Sequence, residues 1–430
     1  MLACATIGVF AHPALAAPGD LDPSFAGDGV LTSRFGDMHG LAIQRDGRIV
    51  VAGVRVSHRR WRFALARYRP DGSRDRSFDG DGRLTTAFPS RECVVADAVA
   101  VQRDGRLVAA GRAGCRGGRF ALARYLPDGR LDPSFSGDGK LTTRFGARCR
   151  FSEVHAVAIQ PNGRIVAAGQ AGCTRAGKFR VTFALARYTR DGRLDRSFAG
   201  DGRLTTDFTP AADYAFAVLI QPDARIVAAG TARLEDFDRS RFALARYLPD
   251  GRLDRAFGGD GKVTSLFAGE QDCTGAEAYA LARQSDGKLV AAGRAACGHP
   301  YFALARYDHN GSPDRSFGAD GKVATIFAEG NCSELINDVA LQPDGKIIAA
   351  GVAGCRNPHP EFALARYGTD GTLDPTFGGD GKVTTHIGAT DDCFDQINAI
   401  ELQPDGRIVA VGPTACGNES GYAVLRYLGG

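Results

Sequence analysis

Residues 99–125 read VAVQRDGRLVAAGRAGCRGGRFALARY, and this stretch decides the fold. Two alternating apolar runs, Val99–Gln102 and Leu107–Ala110, flank the pair Asp104-Gly105. An Asp-Gly pair between such runs is the strongest short-range signal of a β-hairpin. Residues 120–125 predict a third strand, and residues 140–145, KLTTRF, predict a fourth. The stretch therefore predicts one antiparallel sheet of four short strands.

Three motifs recur seven times each along the chain. A turn motif close to Q-x-D-G, the hexapeptide FALARY or a variant of it, and a segment close to L-D-x-S-F-x-G-D-G recur in a fixed cyclic order. The turn motifs begin at Gln44, Gln102, Gln160, Gln221, Gln284, Gln342 and Gln403. The hexapeptides begin at Phe63, Phe120, Phe183, Phe242, Phe302, Phe362 and Tyr422. A fixed period of about sixty residues is the signature of a repeat architecture.

Four strands per unit and seven units predict an all-β fold, a seven-bladed β-propeller over residues 18–430. The last unit ends after its third strand, and the N-terminus supplies the missing fourth one. We therefore expect Val30–Phe35 to pair antiparallel with Tyr422–Tyr427 and to close the ring. Asp223-Ala224 lacks the glycine of the turn motif, which suggests a different type of turn in the fourth unit.

The units resemble the delta-60 repeat, a module of about sixty residues in secreted and surface bacterial proteins. Both parts of that module, VAxQxDGxIVAAG and FALARYxxDGxLDxxFGxDG, occur seven times in close form. The resemblance implies a propeller and export from the cell. It implies no particular activity.

Composition excludes several classes of protein. The chain has 53 Lys and Arg against 49 Asp and Glu, a formal net charge of +4, so a surface for nucleic acid is not expected. No apolar stretch of 18 residues exists, so no membrane span is expected. Hydrophobic residues make up 44% of the chain, enough for a folded core. We expect a monomer.

The first seventeen residues resemble a signal peptide. They are apolar and uncharged, and Ala14-Leu15-Ala16 is typical of a signal-peptidase site, although a basic start is missing. A disordered apolar N-terminus is the alternative. The signal peptide, residues 1–17, predicts a secreted protein or one located in the periplasm or at the cell surface.

Ten cysteines after Cys4 occur at two positions only, before the first strand and after the second strand of a unit. Five units have both cysteines, and units one and four have neither. This joint presence predicts five disulfides within blades and an oxidising compartment. A zinc site is the alternative, but no C-x2-C pair accompanies them. The expected pairs are Cys93–Cys115, Cys149–Cys173, Cys273–Cys297, Cys332–Cys355 and Cys393–Cys416.

Residues that recur in all units are poor candidates for a single active site. The Arg of FALARY and the Asp residues of the third motif are expected to pair with each other, with backbone groups or with turns. Calcium is the alternative ligand of these Asp residues, although their spacing matches neither an EF-hand nor a calcium β-roll. We expect no resident cofactor, with Ca2+ as the open possibility.

Function is expected where the repeat breaks. Five residues before each Gln of the turn motif stands a residue that varies, although its neighbours are repetitive and apolar. In a propeller this position lies near the mouth of the central channel, where ligands often bind. Simple tolerance of variation is the alternative. The candidate ligand-binding residues are His39, Asp97, His155, Phe216, Tyr279, Asn337 and Asn398, with Trp61 in a charged loop of unit one.

Three functions remain open. The first is a binding or scaffold propeller whose partner, a protein or a glycan, contacts the loops that carry the cysteines. The second is an extracellular hydrolase or lyase, with His39, Asp97 and His155 as candidate catalytic residues if they converge. The third is a calcium-dependent structural or adhesive module. No known catalytic motif is visible, so a non-enzymatic role is expected.

Overall fold

The computed structural model describes residues 16–90, 93–115, 117–234, 239–267, 273–297, 299–327, 334–354, 360–387, 393–416 and 419–430. Within these ranges all regular structure is β-strand, and no helix there has the length and hydropathy to cross a membrane. The predicted signal peptide falls almost entirely on residues 1–15, outside the described ranges.

The strands of the described residues form seven antiparallel sheets, and each sheet is one blade. Blade one has β2 (Asp37–Ile43), β3 (Ile49–Ser57), β4 (Arg60–Tyr68) and β5 (Arg83–Thr86); blade two has β6 (Val94–Val101), β7 (Leu107–Ala113), β8 (Arg119–Tyr125) and β9 (Lys140–Thr143); blade three has β10 (Cys149–Ile159), β11 (Ile165–Arg175), β12 (Lys178–Tyr188) and β13 (Arg203–Thr206). Blade four has β14 (Asp213–Ile220), β15 (Ile226–Arg233), β16 (Ser240–Tyr247) and β17 (Lys262–Ser265); blade five has β18 (Cys273–Arg283), β19 (Leu289–Cys297), β20 (His299–Tyr307) and β21 (Lys322–Thr325); blade six has β22 (Leu335–Leu341), β23 (Ile347–Ala353), β24 (Glu361–Tyr367) and β25 (Lys382–Thr385). Blade seven has β26 (Cys393–Asp395), β27 (Ala399–Leu402), β28 (Ile408–Cys416) and β29 (Glu419–Tyr427), and the N-terminus adds β1 (Val30–Ser33). The seven-bladed propeller of four-stranded blades is confirmed.

The turn motif joins the first and second strands of each blade. In blade two the Gly105 amide donates to the Gln102 carbonyl, and Gly105 has a φ of 82°. Ala224 makes the same bond to Gln221 with a φ of 66°. The expectation of a different turn in blade four is wrong, because the alanine takes the left-handed conformation that the glycines have elsewhere.

The hydrophobic core is divided into seven clusters, one between each pair of adjacent blades. The Phe of each L-D-x-S-F segment is fully buried in these gaps. The hexapeptide tyrosines also reach the preceding blade, as where Tyr125 Oη donates to Thr86 Oγ1 over 2.7 Å. Because the first strands contact one another around the ring, they enclose the central channel.

The ring closes between the two ends of the chain. Strand β1 pairs antiparallel with β29, with Val30 opposite Leu425 and Ser33 opposite Tyr422. The paired strand is two residues shorter than predicted. Arg426 Nε also donates to Asp22 Oδ2 over 2.8 Å, so the N-terminal segment supplies a strand and a buried ion pair to blade seven.

Two faces of the ring differ in construction. The turn face carries the turn motifs and the L-D-x-S-F segments, and the loop face carries the connections between second and third strands and between blades. On the turn face Arg187 is buried, donates to Asp195 Oδ2 over 2.8 Å and stacks on Phe198. It also donates to the Pro249 carbonyl in the next blade. This blade clamp recurs in all seven blades, with carbonyl acceptors Pro127, Arg190, Pro249, His309, Thr369, Gly429 and Pro70.

Disulfides fasten the loop face. Cys93–Cys115, Cys149–Cys173 and Cys393–Cys416 are bonded as expected. The backbones of Cys273 and Cys297 lie opposite each other in the register of β18 and β19, but their side chains are outside the described part of the structure. The predicted pair Cys332–Cys355 lies outside the described residues.

Candidate functional site at the channel mouth

A β-bulge interrupts the first strand of blades one to six near the loop face, and a break in the strand takes its place in blade seven. In blade one Met38 lies opposite Gly53 and Gly40 lies opposite Ala52, so His39 has no partner on the second strand. The register shifts of blades two to six leave Asp97, His155, Phe216, Tyr279 and Asn337 unpaired in the same way. In blade seven the first strand breaks between Asp395 and Ala399, which places Asn398 at the equivalent position.

A glycine on the second strand makes each bulge possible. A Cβ on Gly53 would lie 1.8 Å from the Asp37 carbonyl oxygen, a separation that no side chain tolerates. A Cβ on the equivalent glycine of each other blade would lie 1.8–2.0 Å from a backbone oxygen of the first strand. These glycines are Gly111, Gly169, Gly230, Gly293, Gly351 and Gly412. The repeated glycine of the V-A-A-G motif is therefore a steric requirement of the bulge.

Five of the seven bulged residues contact another member of the set, because a bulge turns its side chain away from the regular alternation of the strand. His39 and Asp97 meet, and so do the rings of His155, Phe216 and Tyr279. Seven positions chosen for their variation along the sequence therefore form one ring in space.

His39 and Asp97 form the ionic part of the mouth. His39 Nδ1 lies 3.1 Å from Asp97 Oδ1, across the boundary of blades one and two. Burial disfavours the charged imidazole, but the hydrogen bond and the charges of Asp97 and Asp37 outweigh it and raise the pKa of His39. The hydrogen bond holds the imidazole of His39 against a carboxylate at the mouth.

His155, Phe216 and Tyr279 form an aromatic cluster over blades three to five. The ring of Phe216 lies 5.2 Å from His155 and 5.1 Å from Tyr279. His155 does not join the pair of His39 and Asp97, and its Nε2 is buried without a hydrogen-bond partner among the described residues. The three catalytic candidates therefore do not converge on one point through hydrogen bonds.

Charged residues support the aromatic cluster from the loop side. Tyr279 donates to Glu277, and Glu277 also pairs with Arg294 over 3.1 Å. Burial and the charge of Glu277 raise the pKa of Tyr279 well above its usual value, so the phenol stays protonated. Arg233 stacks 5.3 Å from the ring centre of Tyr214.

Amides complete the ring in blades six and seven. Asn337 Nδ2 donates to the Ile397 carbonyl over 2.7 Å, and Asn398 Nδ2 donates to the Met38 carbonyl over 3.1 Å. These bonds reach from each blade to the next one. The mouth therefore has three different sectors: ionic, aromatic and amide.

Two carboxylates on the first strands were missed by the sequence reasoning. Asp338 accepts a bond from the Ile400 amide over 2.9 Å, and burial raises the pKa of Asp338 to about 6. Burial and the charge of Asp338 raise the pKa of Glu401 to about 7, although Glu401 is accessible to solvent. The other six blades have Gly or Ala where Asp338 stands, and Ala or Leu where Glu401 stands. An acidic residue at a position where the other units have a small or apolar residue was the signal in the sequence that could have revealed both carboxylates.

Trp61 is not part of the mouth. It lies on β4 opposite Val56, half-buried against the core between blades one and two. Its place is on a hairpin that extends from the loop face.

The repeated Asp residues have protein partners. Those of the L-D-x-S-F segments bind the clamp arginines, and those of G-D-G accept backbone amides, as Asp28 does from Val30 over 2.9 Å. Among the described residues, no group of three or more His, Cys, Asp or Glu side chains is arranged to hold a metal ion.

Comparison with known proteins identifies the repeat. The model of a domain of unknown function, DUF5122 beta-propeller, matches residues 44–78, 102–135, 160–198, 221–257, 284–317 and 342–377. No curated protein matches the chain by sequence.

Solved structures share the fold at low identity. The polysaccharide lyase Uly1 aligns with a TM-score of 0.50 at 9% identity over 92% of this chain and 91% of the lyase. A PL25 ulvan lyase aligns with a TM-score of 0.49 at 11% identity, over 93% of this chain and 96% of the lyase. Sqt1 from Chaetomium thermophilum aligns with a TM-score of 0.47 at 10% identity, over 96% of this chain and 98% of Sqt1. These likenesses extend to the propeller alone. Because the six matched repeats together span half of the chain, this protein belongs to the DUF5122 beta-propeller family.

Proposed function

We propose that this protein is an exported propeller that binds a ligand at the channel mouth, on the loop face. One observation carries the proposal: six blades keep the bulge, blade seven has a break in its place, and all seven keep the glycine, yet the side chain at this position varies around the ring. Seven identical side chains would form a uniform ring. The ionic, aromatic and amide sectors instead give a bound molecule one preferred orientation.

The chemistry of the mouth favours a glycan. Aromatic rings such as Phe216 and Tyr279 offer faces for the apolar side of a sugar ring. The side-chain amides of Asn337 and Asn398 are polar groups for the hydroxyl groups of the same sugar. A protonated His39 would pair with an acidic substituent.

A glycan array probed with the full chain tests this proposal. We expect a defined set of glycans to bind, and the double variant Phe216→Ala/Tyr279→Ala to lose that signal at least tenfold. The matched control is Arg130→Gln/Arg252→Gln on the turn face, where both side chains are highly exposed. Binding that survives the mouth variant unchanged would place the site elsewhere.

A hydrolase or lyase is the second candidate, and the hydrogen bond between His39 and Asp97 favours it. A histidine oriented by a carboxylate is the usual form of a general base. If the bound glycan is cleaved, His39→Ala should abolish turnover and leave binding measurable. A binding protein would show no turnover in either form.

Export is part of the proposal. Disulfides such as Cys149–Cys173 persist in oxidising compartments, which supports a secreted, periplasmic or surface location. We also propose that the units are delta-60 repeats and that residues 1–17 are removed as a signal peptide. Terminal sequencing of the exported protein should find Ala17 as its first residue if cleavage follows Ala14-Leu15-Ala16, and Pro18 if it follows Ala17.

A further inference from the structure

Two hairpins on the loop face, one in blade one and one in blade three, share a pattern. Strands β3 and β4 are joined by the two-residue turn His58-Arg59, and β11 and β12 are joined by Ala176-Gly177. The residues after these turns are Arg60-Trp61-Arg62 and Lys178-Phe179-Arg180. Each hairpin thus has a cation, an aromatic residue and a cation directly behind a tight turn.

These two hairpins, in blades one and three, and the segment before β10 are strongly basic and lie on the loop face; together they are defined here as the basic sector: residues 55–62, 144–152 and 170–182. The three segments contain ten Arg or Lys and no Asp or Glu. By contrast, residues 266–279, 326–338 and 386–398, which lead into blades five to seven, contain nine Asp or Glu and no Arg or Lys. The small net charge of the chain conceals this separation.

The cations of the basic sector are available to a partner. Six of them are exposed: Arg59, Arg60, Arg144, Arg148, Arg150 and Lys178. None of the six has an acidic partner at ion-pair distance within the described residues. On the turn face, by contrast, exposed arginines such as Arg130 and Arg252 pair with neighbouring Asp residues.

Exposed apolar side chains lie among these cations. Val56 is 52% exposed and Phe179 is 44% exposed, and each stands next to a residue that flanks a tight turn. Arg150 lies 5.3 Å from the ring centre of Phe179. Only four large apolar side chains of the described residues are this exposed, and two of them lie here.

The turn of the first hairpin has an unfavourable backbone. His58 and Arg59 have φ values of 51° and 60°, the left-handed region where Gly or Asn is favoured. The turn joins the paired residues Ser57 and Arg60 directly, so the charged tip is a tight hairpin.

From these observations we infer that the basic sector docks on an anionic phospholipid surface. Arginine and lysine side chains bind lipid phosphates, and apolar side chains beside them enter the interface between headgroups and acyl chains. Exposed Val56 favours lipid over a polysaccharide, because an aliphatic side chain gains by burial in acyl chains but offers no flat face to a sugar. Two tips on one face of the ring can meet a flat bilayer together.

Flotation with vesicles tests this inference on the full chain. We expect binding to phosphatidylcholine vesicles that contain about 30% phosphatidylglycerol, no binding to pure phosphatidylcholine, and loss of binding at high salt. Each cation removed near such a surface costs about fivefold in affinity. The triple variant Arg59→Gln/Arg60→Gln/Lys178→Gln should therefore bind about 100-fold more weakly, and Phe179→Ser about tenfold more weakly.

The matched control removes three cations from the turn face: Arg130→Gln/Arg193→Gln/Arg252→Gln. It changes the net charge by the same amount and should bind vesicles like the original chain. Equal losses in both triple variants would reduce the effect to net charge and overturn the inference. Absence of vesicle binding, together with tight binding of a soluble acidic polysaccharide or of DNA that Phe179→Ser leaves intact, would overturn it as well.

Discussion

The turn face and the loop face of this propeller are built from the same seven units, but they use their polar residues differently. On the turn face Arg187 and its six equivalents make the same buried clamp to the next blade. On the loop face equivalent positions hold different side chains, as His39, Phe216 and Asn337 do at the bulges. The difference shows that repetition here marks what holds the ring together, and variation marks where a ligand can be distinguished.

Removing the N-terminal segment should have the largest effect, because it takes a strand and a turn-face ion pair from the last blade. A chain that starts at Phe35 lacks Asp22 and β1, so Arg426 is left buried without its carboxylate and the edge of β29 is exposed. We expect the ring to open, with aggregation or unfolding at growth temperature.

Calorimetry and light scattering check this expectation against a chain that starts at Pro18. If the truncated chain is monomeric and melts at the temperature of the longer one, the N-terminal strand does not secure the ring.

The two faces can be compared directly with one residue type. Arg187→Ala on the turn face leaves the buried Asp195 with only the partly exposed Arg164 as its ionic partner and removes the bond to the Pro249 carbonyl, which should cost about 3 kcal/mol in the free energy of unfolding. Arg112→Ala on the loop face removes a partly exposed pair with Glu153 and should cost at most about 1 kcal/mol.

Urea unfolding measures both costs, and the glycan array measures the effect of each variant on specificity. We expect Arg187→Ala to destabilise the protein without changing which glycans bind. A large loss of binding by Arg187→Ala at an unchanged melting temperature would contradict the division between the two faces.

The turn of blade four tests the uniformity of the turn face on a smaller scale. Ala224 has the φ of a glycine, so Ala224→Gly should relieve strain and stabilise the protein by about 0.5–1 kcal/mol. Gly105→Ala is the matched reversal, because the nearest atom to a Cβ there is Pro127 Cγ at 3.6 Å, an ordinary contact. Urea midpoints that shift in the same direction for both variants would show that φ is not the cause.

The sequence predicted most of the fold because each structural device is repeated. The pair Asp104-Gly105 predicts a turn, and the joint presence of Cys149 and Cys173 in one unit predicts a disulfide. The ring-closing pair was predictable because the last unit lacks a strand that the N-terminus contains.

The candidate site was predictable in part. Variation against a repetitive background indicated His39 and Asp97, but their hydrogen bond depends on bulges that only strand register reveals. His155 instead contacts the ring of Phe216 in the next blade. Asp338 could have been found as an acid at a small-residue position, whereas its bond to the Ile400 amide joins two blades and has no local signal.

The smallest effect on stability is expected when Asp97, the partner of His39, is replaced. This replacement tests the loop face in the absence of a ligand. The pKa of His39 is raised in the folded protein by Asp97, against the effect of burial. A raised pKa means that the bound proton stabilises the fold below about pH 6.5, the unfolded value, and that this contribution is lost as the pH rises through the folded value. In Asp97→Asn the pKa of His39 should fall, and the stability gained on acidification below neutral pH should shrink. NMR titration of the imidazole and melting temperatures from pH 5 to 8 measure the two effects. A titration of His39 that Asp97→Asn leaves unchanged would show that the two side chains are not coupled, and the mouth would then lose its ionic sector.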